Sequence, residues 1–271
     1  MSRTQKILFF AIGWLVVLMP FLFWWSTWFG RPLSDQQLNE YLHDDKKPRH
    51  IQHALVQLGD HMSRGDTAAK KWYPDLLRLS TDPVEQVRNT DAWVMGQDTS
   101  VAGFHETLLK MLADSSPIVR GNAALSLVRF GDASGRPQIL ALLQPAQITA
   151  PQAGRIVDSD RPGTAIHQNG LLAKVATGGS SAVIEIRSPI PGRIRSVAQP
   201  GASLASGAEV AVVEPATDQV WEALRALYLI GQMDDLPAVR PYERDLPDIS
   251  SDVRQQAMET EKAIRGRAGM N

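Results

Sequence analysis

Three histidines, one lysine and three recurring aspartate–arginine pairs are the residues whose types and spacing could do chemistry. His50 and His53 share a helical face with Gln57 and His61, at spacings of three, four and four. Such a stripe could ligate a transition metal or respond to pH. No HExxH or other tight ligand motif accompanies it. The same residues also read as the polar face beside the apolar stripe Ile51, Leu55, Leu58 and Met62, so no metal site is expected. Asp82, Asp114 and Asp248 each stand five positions before a Val-Arg dipeptide that carries Arg88, Arg120 or Arg254. A catalytic acid is needed once, whereas a cap is needed at every helix, so recurrence points to structure. The chain has no Cys, which removes thiol nucleophiles, disulfides and Cys-ligated metals. No GxSxG, Walker A or dinucleotide fingerprint is present. The expectation is therefore no enzyme, no cofactor and no small-molecule substrate. Trp93 and Trp221 fall in helical stripes and are expected in the core.

The elements that carry these residues come in pairs. Asp82, Val87, Arg88 and Ala92 recur as Asp114, Val119, Arg120 and Ala124, 32 residues on, and again as Asp248, Val253 and Arg254, followed by Ala257 one position early. Aspartate suits a helix start, Pro83 and Pro117 suit the first turn, and the alanines allow close helix approach. Apolar segments ahead of the first two copies supply partner helices, through Leu76, Leu77 and Leu79 and through Leu108, Leu109 and Leu112. This pattern resembles the HEAT repeat, which implies antiparallel helix pairs stacked into a solenoid with an extended surface for protein partners. Weaker copies cover 33–42 with 48–62, and 235–244 with 249–267. Residues 134–143 open a fourth pair whose second helix resumes only at 218–231.

The interruption is itself a duplication. Shifting 148–175 by 38 positions gives nine identities in 28 ungapped positions, among them Gly154/Gly192, Arg155/Arg193 and Gly163/Gly201. Short runs of Val and Ile between Pro-Gly turns predict strands. Ser188-Pro189-Ile190-Pro191-Gly192-Arg193-Ile194, then Pro200-Gly201, Gly207 and Val210 to Glu214, resemble the biotinyl/lipoyl domain, or barrel-sandwich hybrid. The same module occurs in periplasmic membrane-fusion adaptor proteins. In carrier members the resemblance implies a lysine at the hairpin between the halves. Here that turn holds Gly178, Gly179, Ser180 and Ser181, a candidate contact loop, and Lys174 on the preceding strand is only a weak candidate acceptor. The long helical hairpin that transport adaptors insert at this junction is absent.

Residues 7–29 carry no charge, Arg3 and Lys6 precede them, and Trp24, Trp25 and Trp28 close the run. This composition predicts one transmembrane helix with its N-terminus in the cytoplasm and its bulk outside. The expectation is then a mainly α protein in four parts. Residues 1–30 form a membrane anchor, 31–145 and 216–271 a HEAT-type solenoid, and 146–215 an inserted all-β module. The expected role is a scaffold subunit on the extracytoplasmic face of a bacterial inner membrane, with the lipid bilayer and other envelope subunits as partners. A pump adaptor or a biotin/lipoyl carrier is the alternative. The net charge of −1 argues against nucleic acid.

Overall fold

The structure, a computed structural model, describes residues 13–21, 32–177 and 183–269. It corrects two expectations. Residues 13–21 are helical (α1), and the residues on either side of them lie outside the described ones. Among the described residues no helix is long and apolar enough to cross a membrane. The single-pass inner-membrane placement is therefore overturned. Trp24, Trp25 and Trp28 lie outside the described residues. The mainly α class is corrected too. The protein is mixed α/β, with 53% of the described residues helical and 16% in strands, which form two small antiparallel sheets. Its strands belong to the same compact unit as most of the helices.

The chain divides into two compact units, Met1–Lys70 and Lys71–Asn271. In the first, α2 (Asp35–Leu42) begins with a capping box. Ser34 Oγ accepts from Gln37 N, and Gln37 Oε1 accepts from Ser34 N. Helix α3 (Pro48–Ser63) takes Pro48 at its first turn, where the missing N–H costs nothing. It buries Ile51, Ala54, Leu55, Leu58 and Met62 on one face, and Leu38 and Leu42 of α2 are buried with them.

The second unit opens with α4 (Tyr73–Leu79), α5 (Glu85–Met95), α6 (Ala102–Met111), α7 (Pro117–Arg129) and α8 (Arg136–Leu142). Each of the loops between them holds an aspartate that folds its own turn. Asp82, Asp98, Asp114 and Asp132 accept, through Oδ1, the backbone N–H two residues on, at 2.7–3.0 Å. Three of these carboxylates also receive a side chain from an earlier helix. Tyr73 donates to Asp98 (2.6 Å), and Arg88 donates twice to Asp114 (2.7 and 2.9 Å). His105 Nε2 sits 2.7 Å from an Asp132 oxygen. The ladder thus advances by single helices, at half the period of the Val-Arg signature.

The chain leaves α8 into eight strands and returns to α9 (Thr217–Ile230). The strands are β1 (Ala146–Thr149), β2 (Gly154–Ser159), β3 (Ala165–Ile166), β4 (Leu171–Ala176), β5 (Val183–Arg187), β6 (Gly192–Val197), β7 (Ser203–Leu204) and β8 (Glu209–Pro215). One sheet runs β1-β8-β6-β3 and the other β5-β4-β2-β7. The 38-residue shift turns the first order into the second, strand by strand, so the halves are related by a pseudo-twofold. Their contacts repeat as well. Arg155 donates to Gly201 O and Arg193 to Gly163 O, each onto a glycine at φ near +90°. Gly154 and Gly192 leave no room for a Cβ, which would lie 2.6 Å from Ala176 O and 1.8 Å from Glu214 O. Ile156, Leu172, Val175, Ile194 and Val213 fill the space between the sheets.

Entry and exit of this module lie side by side, because Ala146 of β1 pairs with Val213 of β8. Gln219 at the start of α9 donates to Leu142 O of α8 (3.0 Å). The two helices thus pack as the interrupted pair that the sequence implies. Ile118 of α7 packs on the β core, and Gln168 donates to Glu85 of α5, bracing the module against the helices. After α9 come a 3-10 turn (Met233–Asp235), α10 (Leu236–Val239), a second 3-10 turn (Arg240–Glu243) and α11 (Ser251–Arg267). Val220, Leu224, Leu227, Val253, Ala257 and Ile264 bury the contact between α9 and α11.

Candidate interaction groove

Helices α5, α7, α9 and α11 are the second members of successive pairs, and side chains at one repeat position tie some of them together. That position lies seven residues after the signature valine. In α7 it holds Ser126, whose hydroxyl donates to Ala92 O of α5 (2.8 Å). In α11 it holds Thr260, which donates to Leu224 O of α9 (2.9 Å). In α9, counted from Val220, it holds the buried, apolar Leu227. Asn122 adds a second tie between α7 and α5, from its amide to Asn89 Oδ1 (2.8 Å). The inner helices are therefore two bonded couples with a seam between α7 and α9.

A groove of about 340 Å³ opens along that seam. Trp93, Asn122, Arg129, Glu222, Arg225 and Leu229 are among its lining residues. Trp93, expected in the core, is 42% exposed, and Leu229 is 60% exposed. Trp221 is partly buried against the C-terminal core, and its ring carries the Arg225 guanidinium at 4.7 Å. Arg225 also lies 3.6 Å from Glu222. Arg129 makes a long bond to Gly96 O (3.4 Å).

Of the signature residues, Arg88 and Asp114 join two successive copies. Arg88 bridges to Asp114 of the next repeat, the pair being only 13% and 11% exposed, and also donates to Asp82 O and Pro83 O. Arg120 repeats the local half of this pattern, donating to Asp114 O and Ser115 O at 2.6 and 2.9 Å. Asp114 is held below the usual carboxylate range, first by the Arg88 hydrogen bond. The third copy departs. Asp248 is exposed, Ser250 caps α11 through Val253 N, and Arg254 pairs with Asp245.

The histidines are engaged separately. His50 Nδ1 meets Asp44 (2.8 Å) and its ring stacks on Tyr41 (4.2 Å). His53 Nε2 meets the Gln57 amide (2.9 Å), and burial and then the His50 charge push its pKa down. His61 pairs with Asp66 (2.8 Å). Among the described residues no three His, Asp or Glu side chains gather as a metal site requires. Lys174 lies within β4, opposite Asp158 of β2 and Glu185 of β5, a register that places it in a cross-strand charge row. Gly178, Gly179, Ser180 and Ser181 lie outside the described residues.

Two carboxyl sites escape a motif search. Asp91 of α5 is fully buried, and neither oxygen has a partner among the described residues. It stands four residues after the signature valine, where the other two copies have Ala123 and Ala257. Burial holds it well above the usual carboxylate range. Glu243 of the second 3-10 turn is raised to about 7 by burial and by its contact with Glu261 of α11. Glu261 is held low by Glu243, Arg265 and Arg240. Beside Glu243, Tyr242 donates to Leu143 O at the end of α8 (2.6 Å).

No family model matches the chain, and no curated protein matches it. Among solved structures it is similar to an engineered protein from the Northeast Structural Genomics Consortium. The identity is 16%, covering 84% of this chain and 78% of that one, with a TM-score of 0.40. A likeness this loose carries neither a fold family nor a function.

Proposed function

We propose that the chain is a non-enzymatic scaffold whose helical array docks a protein partner. In this reading the helix pairs act as HEAT-type repeats. The braced β module, biotinyl/lipoyl-like in pattern, offers a second rigid surface. One observation carries the reading: an open groove with exposed Trp93 and Leu229 sits at the one inner-helix seam, from α5 to α11, without a side-chain tie among the described residues. Exposed aromatic and aliphatic side chains in a recess are characteristic anchors for protein partners. The signature pair Arg88 and Asp114 supports it as well, since both side chains are occupied in joining two successive helix pairs.

Photo-cross-linking from residue 229 in cells that normally express the protein tests this. A discrete protein adduct is expected from 229 and absent from residue 258, which is exposed on α11. Equal or no adducts at the two positions would remove the groove from the proposal.

A further inference from the structure

Resting on that scaffold reading, we propose that the groove takes a short, extended, acidic peptide segment with one large apolar side chain as its anchor. The groove's charge points this way. Arg129 and Arg225 face a single acid, Glu222, which already neighbours Arg225. Arg129 has only a long carbonyl bond among the described residues, so most of its guanidinium donors are open to a carboxylate. Arg225 is oriented by the Trp221 ring, which lowers the cost of holding it for a second partner. The apolar wall comes from Trp93 and Leu229.

Size and length fit the same occupant. A volume of about 340 Å³ lies at the bottom of the ~300–1,000 Å³ range of ligand sites, which suits an anchoring side chain rather than a large cofactor. The groove crosses α5, α7 and α9. At 8–10 Å between packed helices that is a path of roughly 20 Å, about six residues of extended chain. Asn122 spends its amide nitrogen on Asn89 and keeps its side-chain oxygen for a peptide N–H.

The test uses the full chain and fluorescence anisotropy with a fluorescein-labelled hexapeptide that alternates Asp or Glu with Leu or Phe. Its control replaces each acid by Lys. The acidic peptide is expected to bind at least about tenfold more tightly at low salt, and to weaken as salt is added. Arg129→Glu with Arg225→Glu is expected to reverse the preference, and Trp93→Ala to weaken binding about tenfold. Circular dichroism checks that each variant is folded. Equal binding of the two peptides, or no effect of the charge reversal in a folded variant, overturns the inference. So does self-association that Trp93→Ala abolishes, because the occupant would then be a second copy. If residue 229 still cross-links to a partner while the acidic probe does not bind, the scaffold reading stands and the peptide assignment fails.

Discussion

The α5/α7 seam and the α7/α9 seam join similar helices in opposite ways. The first is fastened by Ser126 on Ala92 O, by Asn122 on Asn89, by Arg88 reaching Asp114 beside the start of α7, and by the long bond of Arg129 to Gly96 O. The second has Leu227 in place of the hydroxyl; Ala124 and Val128 of α7 share a buried apolar core with Ala223 and Leu227 of α9, and the groove opens beside it. The difference follows from the β module. Helix α9 arrives after an excursion rather than after a short turn, so the repeat signature of its neighbours is not imposed on it. A fastened seam carries stability, and an open one leaves side chains for recognition.

Breaking the fastened seam has the largest expected effect. Arg88→Ala strands a nearly buried Asp114 carboxylate and is expected to cost about 3 kcal/mol in urea unfolding at neutral pH. The sign with pH follows from Asp114. Its folded pKa is depressed, so the pair's contribution is present above the unfolded value near ~4 and is lost as pH falls through the folded value. The variant and the parent should therefore converge in acid. Equal stability at neutral pH would remove the ladder from the account of this seam.

Asp91, buried on α5, works against folding and should show the reverse sign. Asp91→Ala, matching Ala123 and Ala257, is expected to stabilise by about 1–3 kcal/mol at neutral pH by removing an unsatisfied buried carboxyl. Its folded pKa is raised, so the native chain holds a proton that the unfolded chain releases near pH ~4. The advantage of Asp91→Ala should therefore shrink toward acid and grow with rising pH. A loss of stability at neutral pH would mean that the carboxyl has a native partner.

Ser126→Ala and Thr260→Val each remove one hydroxyl tie and should cost about 1 kcal/mol in thermal or urea unfolding. Peptide binding in the groove is expected to stay unchanged in Thr260→Val, whose tie lies on the far side of α9. The smallest effect belongs to Glu243→Gln. The raised Glu243 pKa means that stability contributed by its protonated form is lost as pH rises from the usual carboxylate range through about 7. The glutamine variant should flatten the stability profile across that window, and an unchanged profile would exclude the Glu243–Glu261 contact as its source.

Much of the scaffold was legible in the sequence, for local physical reasons. Asp82, Arg88, Asp114 and Arg120 act within a few residues of one another or one repeat apart, so their spacing carries their role. The β halves were legible because Gly154 and Gly192 sit where no side chain fits, and a duplicated constraint leaves a duplicated pattern. Asp98 and Asp132 were missed because their donors change type, from Tyr73 to His105, while the turn stays the same. Asp91 was readable in principle, as the one polar residue at a position that is alanine in the other two copies. Trp93 was not. Its place in a helical stripe resembles a core position, yet the side chain is 42% exposed at the groove. The membrane span was drawn from composition over 7–29 alone, and no helix among the described residues is long and apolar enough to cross a membrane.

Pairing of β1 with β8 also sets an order of events for folding. Leu142 and Gln219 are 77 residues apart in sequence yet hydrogen-bonded. In a chain whose module is unfolded, bringing them together closes a long flexible loop, at a cost of about 4 kcal/mol by the logarithmic closure law. Once β1 and β8 have paired, the two positions are already neighbours and most of that cost is gone. The α8–α9 contact therefore waits on the sheet. The C-terminal helices, although drawn from the most local and fastest class of structure, join the rest of the protein at the pace of its slowest, most non-local part.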